Sequence, residues 1–394
     1  MNTDRDSTTM TSASLRSLRQ LGQAIWLDYI QRHLITSGEL RRLVEHSGVT
    51  GVTANPSIFE KAILESTDYE DALDTIARMG MWNATEAYET LAIADIQAAA
   101  AILRPVYDDT QGRNGFVSLE VSPLLAHDTR GTVEEARRLW AAIGRENVMI
   151  KVPGTLEGVP AVRQLTEAGI NVNITLLFSR DAYKAVAEAY LAGLHARLAR
   201  GEDVSRVASV ASFFVSRIDT VVDNLIAIRL KGGPDNAEFL RSLLGKAAIA
   251  NAKLAYQWYQ DFIRTDRWRT AAANGARTQR LLWASTSTKN PQYRDVRYVE
   301  ELIGPETINT ITPITLDAFR DHGHARASLT DDINQAQETM AALAEAGISF
   351  DAVTTQLLDD GIQLFTKAFD KLLDAIDRKL TSLQPTRRSH SGTQ

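Results

Sequence analysis

Short apolar runs, several of them β-branched, recur at residues 25–28, 49–54, 116–121, 148–152, 170–176, 207–213, 281–285 and 308–312. The stretches between them are amphipathic with helical spacing. In 181–200, for example, Tyr183, Val186, Tyr190, Leu191 and Leu194 are the apolar positions. Near-continuous apolar strands alternating with helices predict parallel strands, because crossover helices bury both faces of the sheet. Eight such repeats favour closure into a (β/α)8 barrel (a TIM barrel), with an open doubly wound sheet as the alternative.

Helix starts and surplus length refine this picture. Ser57-Ile-Phe-Glu60 and Thr132-Val-Glu-Glu135 read as capping boxes, in which hydroxyl and carboxylate satisfy free N–H groups. Intervals 57–115 and 214–279 are too long for one strand–helix unit and predict helical insertions, with added helices at 83–103 and 237–264. The second follows a Lys231-Gly-Gly-Pro234 turn. Beyond the last strand, 331–346 and 351–380 predict a C-terminal helical cap. The organisation expected is a polar N-terminal segment (1–20), a single barrel domain (21–380) and a disordered polar tail (381–394).

Composition narrows the function classes. A chain of 394 residues would allow two or three domains, but the strand pattern assigns the excess to insertions. Forty-three Lys plus Arg against forty-nine Asp plus Glu give a net charge of −6, which argues against a nucleic-acid binder relying on a global basic field. A small, locally basic pocket is not excluded. Zero cysteine rules out disulfides, thiol catalysis and cysteine-ligated metals. The first twenty residues lack the apolar core of a secretory signal, and no run approaches the ~18 apolar residues of a membrane span. A soluble, cytoplasmic protein with no membrane partner is expected. No glycine-rich nucleotide loop is present, His322-Gly-His324 has no ligand partners in pattern, and no metal or organic cofactor is expected.

In a (β/α)8 barrel, chemistry sits where strands end and βα loops begin. Polar residues interrupt the apolar runs there: Asp28, Asn55, Glu120, Lys151, Asn173, Thr175, Ser212, Ser285 and Lys289, with Arg217 soon after the sixth run. Lys151 is the most informative. Most other lysines lie in amphipathic helical stretches, whereas Lys151 breaks Val148-Met-Ile-Lys-Val-Pro153. Burial disfavours an ammonium and so favours the free amine that attacks a carbonyl to form a Schiff base. The plainer reading is a buried ion pair with Glu120 or Asp28. Asp28 and Glu120 suit proton transfer beside such an amine, although each alone is as readily structural. Asn55 before Pro56 reads equally as a turn residue. Ser212, Arg217, Ser285 and Lys289 are candidates for a phosphate site, because guanidinium, ammonium and hydroxyl groups all bind phosphate oxygens. Taken singly, they are ordinary loop residues.

At these positions the chain resembles the transaldolases of the class I aldolase group. The matching segments are Gly51-Val-Thr-Ala-Asn-Pro-Ser-Ile-Phe59, Ser118-Leu-Glu120, Met149-Ile-Lys-Val-Pro153 and Gly169-Ile-Asn-Val-Asn-Ile-Thr-Leu-Leu-Phe178. They continue through Ser212-Phe-Phe-Val-Ser-Arg217 and Leu282-Trp-Ala-Ser-Thr-Ser-Thr-Lys-Asn290. The resemblance implies reversible transfer of a dihydroxyacetone unit from sedoheptulose 7-phosphate to glyceraldehyde 3-phosphate, without a cofactor. It implies Lys151 as the Schiff-base residue and Asp28 as the group that handles the proton of C–C cleavage. Glu120 and Thr175 would hold a catalytic water. Asn55, Asn173 and Ser212 would position the three-carbon unit, and Arg217 and Ser285 would bind phosphate. Ser287 stands where many transaldolases carry an arginine, leaving Lys289 as the candidate for the second cation. Two other readings remain open. One is a fructose-6-phosphate aldolase, whose relatives tend to carry glutamine and tyrosine where this chain has Glu120 and Phe214. The other is a non-catalytic sugar-phosphate-binding barrel. Sugar-metabolising enzymes commonly form symmetric oligomers, so a homo-oligomer is allowed for.

Overall fold

The computed structural model describes residues 14–80 and 83–383. Eight parallel strands close into one barrel in chain order: β1 (Gln23–Asp28), β2 (Val49–Thr53), β3 (Phe116–Glu120), β4 (Val148–Pro153), β5 (Val172–Leu177), β6 (Ser209–Phe214), β7 (Arg280–Ala284) and β8 (Thr307–Ile311). β8 pairs back to β1. Each expected strand is present, and the open-sheet alternative is excluded by this closure. The strands are buried on both faces because side chains fill the barrel and helices cover its outside. Trp26 and Trp283 are fully buried in this core.

Register determines what meets at the mouth. Glu120 pairs with Lys151, and Lys151 with Asn173, so three polar residues stand side by side across β3, β4 and β5. On the other side, Asp28 pairs with Thr53. β5 then departs from regular pairing between Ile174 and Leu177, and Leu176 takes a positive φ of 59°. Such a bulge re-aims the chain directly after Thr175.

The long intervals do hold helices. Pro56–Leu64, Glu70–Arg78 and Ala84–Asp109 lie between β2 and β3. The last runs beyond the expected end at 103 and through Pro105. The carbonyl that this proline leaves unbonded belongs to Ala101, an exposed residue that water can serve. The helix expected at 237–264 is instead two, Ala237–Ser242 and Ala247–Phe262, divided near Gly245 at φ 67°. Both expected capping boxes are replaced by earlier caps. Asn55 caps Pro56–Leu64 and Asp128 caps Thr129–Ile143, accepting from the N–H groups of Ile58 and Gly131. Glu60 instead pairs with Lys371, and Glu135 accepts from the Ser122 N–H.

At the ends of the chain, residues 14–20 are helical and bury Leu15 and Leu18. The C-terminal region forms Ile333–Glu345 and a 34-residue helix, Phe350–Leu383. The tail expected to be disordered thus gives residues 381–383 to this helix, and 384–394, like 1–13, lies outside the described residues. The long helix packs on Pro56–Leu64 and Ala84–Asp109 through the edge-on ring contacts Phe59–Tyr88 and Tyr88–Phe369. It also passes over the C-terminal end of the barrel.

Candidate active site

A polar cavity of about 210 Å³ opens at that end of the barrel. Eight of the residues singled out in the sequence line it: Asp28, Asn55, Lys151, Thr175, Ser212, Arg217, Ser285 and Lys289. Glu120 and Asn173 do not line it. They stand beside Lys151 in the register described above and act on the cavity through it and through Ser212.

Lys151 is 4% exposed and rises from the middle of β4. Its Nζ lies 3.2 Å from Glu120 Oε2 and donates to the Ala54 carbonyl at 3.1 Å. The Glu120 contact is ionic and lacks the alignment of a hydrogen bond. Burial raises the Glu120 pKa above the usual carboxylate range, and the nearby Lys151 ammonium partly reverses this. A carboxylate raised in this way holds a proton more readily than an exposed one. Phe365, from the C-terminal helix, places its ring centroid 5.9 Å from the same Nζ.

Across the cavity, Asp28 accepts from Thr53 Oγ1 at 2.7 Å, and Thr53 in turn contacts Thr310 Oγ1 at 2.7 Å. Burial by surrounding protein raises the Asp28 pKa too, opposed by Lys151, the Thr53 hydrogen bond, Lys289 and Arg217. Thr175 Oγ1 is buried and has no hydrogen-bond partner among the described residues, which leaves it available to water or a bound ligand. Asn173 is held at both ends: its Nδ2 donates to Ser118 Oγ at 3.0 Å, and its Oδ1 accepts from Ser212 Oγ at 2.6 Å. Asn55 lines the cavity while its amide oxygen accepts from the Ile58 N–H as the helix cap.

The rim is cationic. Arg217 follows β6 at the start of Ser216–Leu230, and burial lowers its pKa, with Asp28 and Asp360 opposing. Lys289 is exposed as a residue while protein crowds its ammonium, which lowers its pKa, as does Arg217. Lys61, from Pro56–Leu64, adds a third cation. Ser287 does not replace a charge; its Oγ contacts the hydroxyls of Thr312 and Thr315 at 3.1 and 2.7 Å. Ser285 lies at φ 56°, a left-handed conformation unusual for serine, and its Oγ is 3.2 Å from Ser216 Oγ.

Sequence reasoning did not single out Thr53, Thr310, Ser118, Lys61 or Phe365. Thr53 carried a faint signal, standing beside Asn55 at the end of an apolar run. Phe365 carried none, because in its own helix it reads as an ordinary apolar position. His322 bonds to Asp295 and Asp321 on the surface.

Fold and site together define a (β/α)8 enzyme with a buried amine–carboxylate pair beneath a cation-rimmed pocket. The family model for Transaldolase/Fructose-6-phosphate aldolase matches residues 25–376. The chain is 48% identical over 381 residues to Transaldolase 2 of Nostoc punctiforme, covering 95% of this chain and 100% of the relative. It is 47% identical to the transaldolase of Trichodesmium erythraeum (95% and 100% covered) and 47% identical to that of Thiobacillus denitrificans (92% and 99%). The chain belongs to the transaldolase/fructose-6-phosphate aldolase family.

Proposed function

We propose that this enzyme is a transaldolase, moving a dihydroxyacetone unit reversibly from sedoheptulose 7-phosphate to glyceraldehyde 3-phosphate through an imine on Lys151. The products are erythrose 4-phosphate and fructose 6-phosphate. The observation that carries the reading is the Lys151–Glu120 pair at 3.2 Å, buried beside a cavity that also holds Asp28 and a cationic rim.

A Lys151 amine attacks the donor C2 carbonyl, and the C2 oxygen leaves as water. Glu120, next to Nζ, exchanges protons with the amine and the departing oxygen. Thr175, with an unpartnered hydroxyl, holds the water. Asp28 takes the proton of the C4 hydroxyl as the C3–C4 bond breaks and the imine accepts the electron pair. The carbanion then adds to the acceptor aldehyde, and hydrolysis frees the product. Asn55, Asn173 and Ser212 orient the three-carbon unit. Arg217, Ser285 and Lys289 hold the phosphate, the ammonium of Lys289 replacing the charge that Ser287 lacks. Glu120 and Phe214 favour transfer over release of free dihydroxyacetone. The amine with its proton relay favours an enzyme over a mere binding barrel.

Among the described residues no helix is long and apolar enough to cross a membrane, and phosphorylated sugars are cytoplasmic metabolites. We therefore place the enzyme in the cytoplasm, where a homo-oligomer would be in keeping with its class.

Borohydride reduction in the presence of fructose 6-phosphate, followed by peptide mapping, tests the nucleophile. Lys151 is the expected modified residue; modification elsewhere sinks the assignment. Lys151→Met should abolish turnover while the protein stays folded. Transfer to erythrose 4-phosphate, measured against release of dihydroxyacetone, then separates transferase from aldolase.

A further inference from the structure

Glu120 faces two spaces. Its carboxylate meets Lys151, and the residue also lines a second cavity of about 150 Å³ between β3 and the helices outside it. This rear cavity lies among β3, Ala84–Asp109, Thr129–Ile143 and the C-terminal helix, and Glu120 is not part of the front cavity lining. Its walls are polar as well as apolar, with Tyr88, Glu89, Ser122 and Glu135 among them. Volume and partners both suffice for ordered water, which needs at least about 10–15 Å³ and two to four polar neighbours.

The outer end is built and half-buried. Glu135 accepts from the Ser122 N–H at 2.6 Å, and Arg138 holds Glu89 through two bonds of 2.5 and 2.6 Å. The side chains of Glu89 and Glu135 are 17% and 20% exposed, so this end reaches solvent. Burial raises the Tyr88 pKa, with Glu120, Glu135 and Glu89 adding to the rise; burial also raises that of Glu135, opposed by the Ser122 hydrogen bond and Arg138.

Imine formation releases one water, its two protons drawn from the amine, and imine hydrolysis takes one up. Both must happen while a sugar phosphate occupies a front cavity of only about 210 Å³, beneath Phe365 and Leu364. We propose that the rear cavity is a second route for water and protons between Glu120 and solvent, with Glu135 as a positioning residue at its outer end. This rests on the transaldolase reading given above.

The test uses the full-length protein and fructose 6-phosphate labelled with ¹⁸O at the C2 carbonyl. Loss of label to solvent, above the spontaneous rate, is divided by the rate of borohydride-trapped imine formation. Two variants probe the route: Ala92→Leu, which fills the cavity from a wall of Ala84–Asp109, and Glu135→Gln, which keeps the shape at a half-buried position. The washout ratio is expected to fall about tenfold in Ala92→Leu and several-fold in Glu135→Gln, with kcat lowered and KM for fructose 6-phosphate unchanged. Should Ala92→Leu fail to fold, Glu135→Gln decides alone. Wild-type washout ratios in the folded variants overturn the rear route. A wild-type protein that neither traps at Lys151 nor loses label instead indicts the transaldolase reading.

Discussion

Single residues in this chain are explained by what surrounds them. Lys151 and Lys253 are both buried lysines, 4% and 5% exposed, yet their settings differ. Lys253 donates to the Asp331 carbonyl and has Glu301 no nearer than 3.9 Å, on a surface cleft, whereas Lys151 has Glu120 at 3.2 Å and faces the cavity at the barrel mouth. Asp219 is a buried carboxylate with a structural task. It accepts from the Ala248 N–H and the Tyr298 hydroxyl, each at 2.8 Å, and so fastens the inserted helix Ala247–Phe262 to Ser216–Leu230. Burial is the main cause that pushes its pKa up to about 6 from 3.8. A raised carboxyl leaves stability intact at low pH and removes it as pH climbs through the folded-state value. The loss is about 3 kcal/mol between roughly pH 4 and pH 7. Asp219→Asn keeps one acceptor and gains a donor towards Tyr298. Denaturant unfolding across this range should show a flatter pH profile for the variant than for the wild type.

At the scale of elements, the C-terminal helix supplies one wall of the site through Leu364 and Phe365. Gly361 lies against Leu176, the positive-φ residue of the β5 bulge, and a Cβ there would meet Leu176 Cδ2 at 2.8 Å. The helix seats one turn from Phe365, the residue over Lys151. Gly361→Ala can be absorbed by the flexible tip of Leu176. Gly361→Leu must lift the helix and should cost about 1–3 kcal/mol of stability. It should also lower kcat/KM by more than the drop in folded protein explains, as steady-state kinetics on purified protein would show. By contrast, Lys371 is 66% exposed although its ammonium is 2.5 Å from Glu60. Lys371→Ala should leave the thermal midpoint close to that of the wild type, because exposed pairs are screened.

Across the whole molecule, net charge and local charge point in opposite directions. The chain carries −6 overall, yet Lys61, Arg217 and Lys289 converge on one rim. Salt weakens attraction between a rim that water reaches and a dianionic phosphate approaching it. KM for sugar phosphates should therefore rise with ionic strength while kcat holds. Arg217→Ala should raise KM about 10- to 100-fold, the worth of a lost charge-assisted hydrogen bond. It should also flatten the salt dependence; an unchanged slope would remove Arg217 from the phosphate site.

The chain by itself determined the barrel, since eight apolar runs separated by amphipathic stretches leave few other ways to bury both strand faces. It also marked eight of the residues that line the pocket, because a polar residue that interrupts or ends an apolar run stands out locally. Lys151 was legible for that reason. Helix starts were less legible: Asn55 and Asp128 took the caps that Ser57 and Thr132 were expected to hold, since capping depends on where the backbone turns. Only the tertiary structure decided that Glu120 sits at Lys151, with a second cavity behind it, and that Phe365 reaches the site from 214 residues further along the chain. Strand register and the seating of a distant helix are set by packing between elements, and local sequence pattern does not encode distances across a barrel.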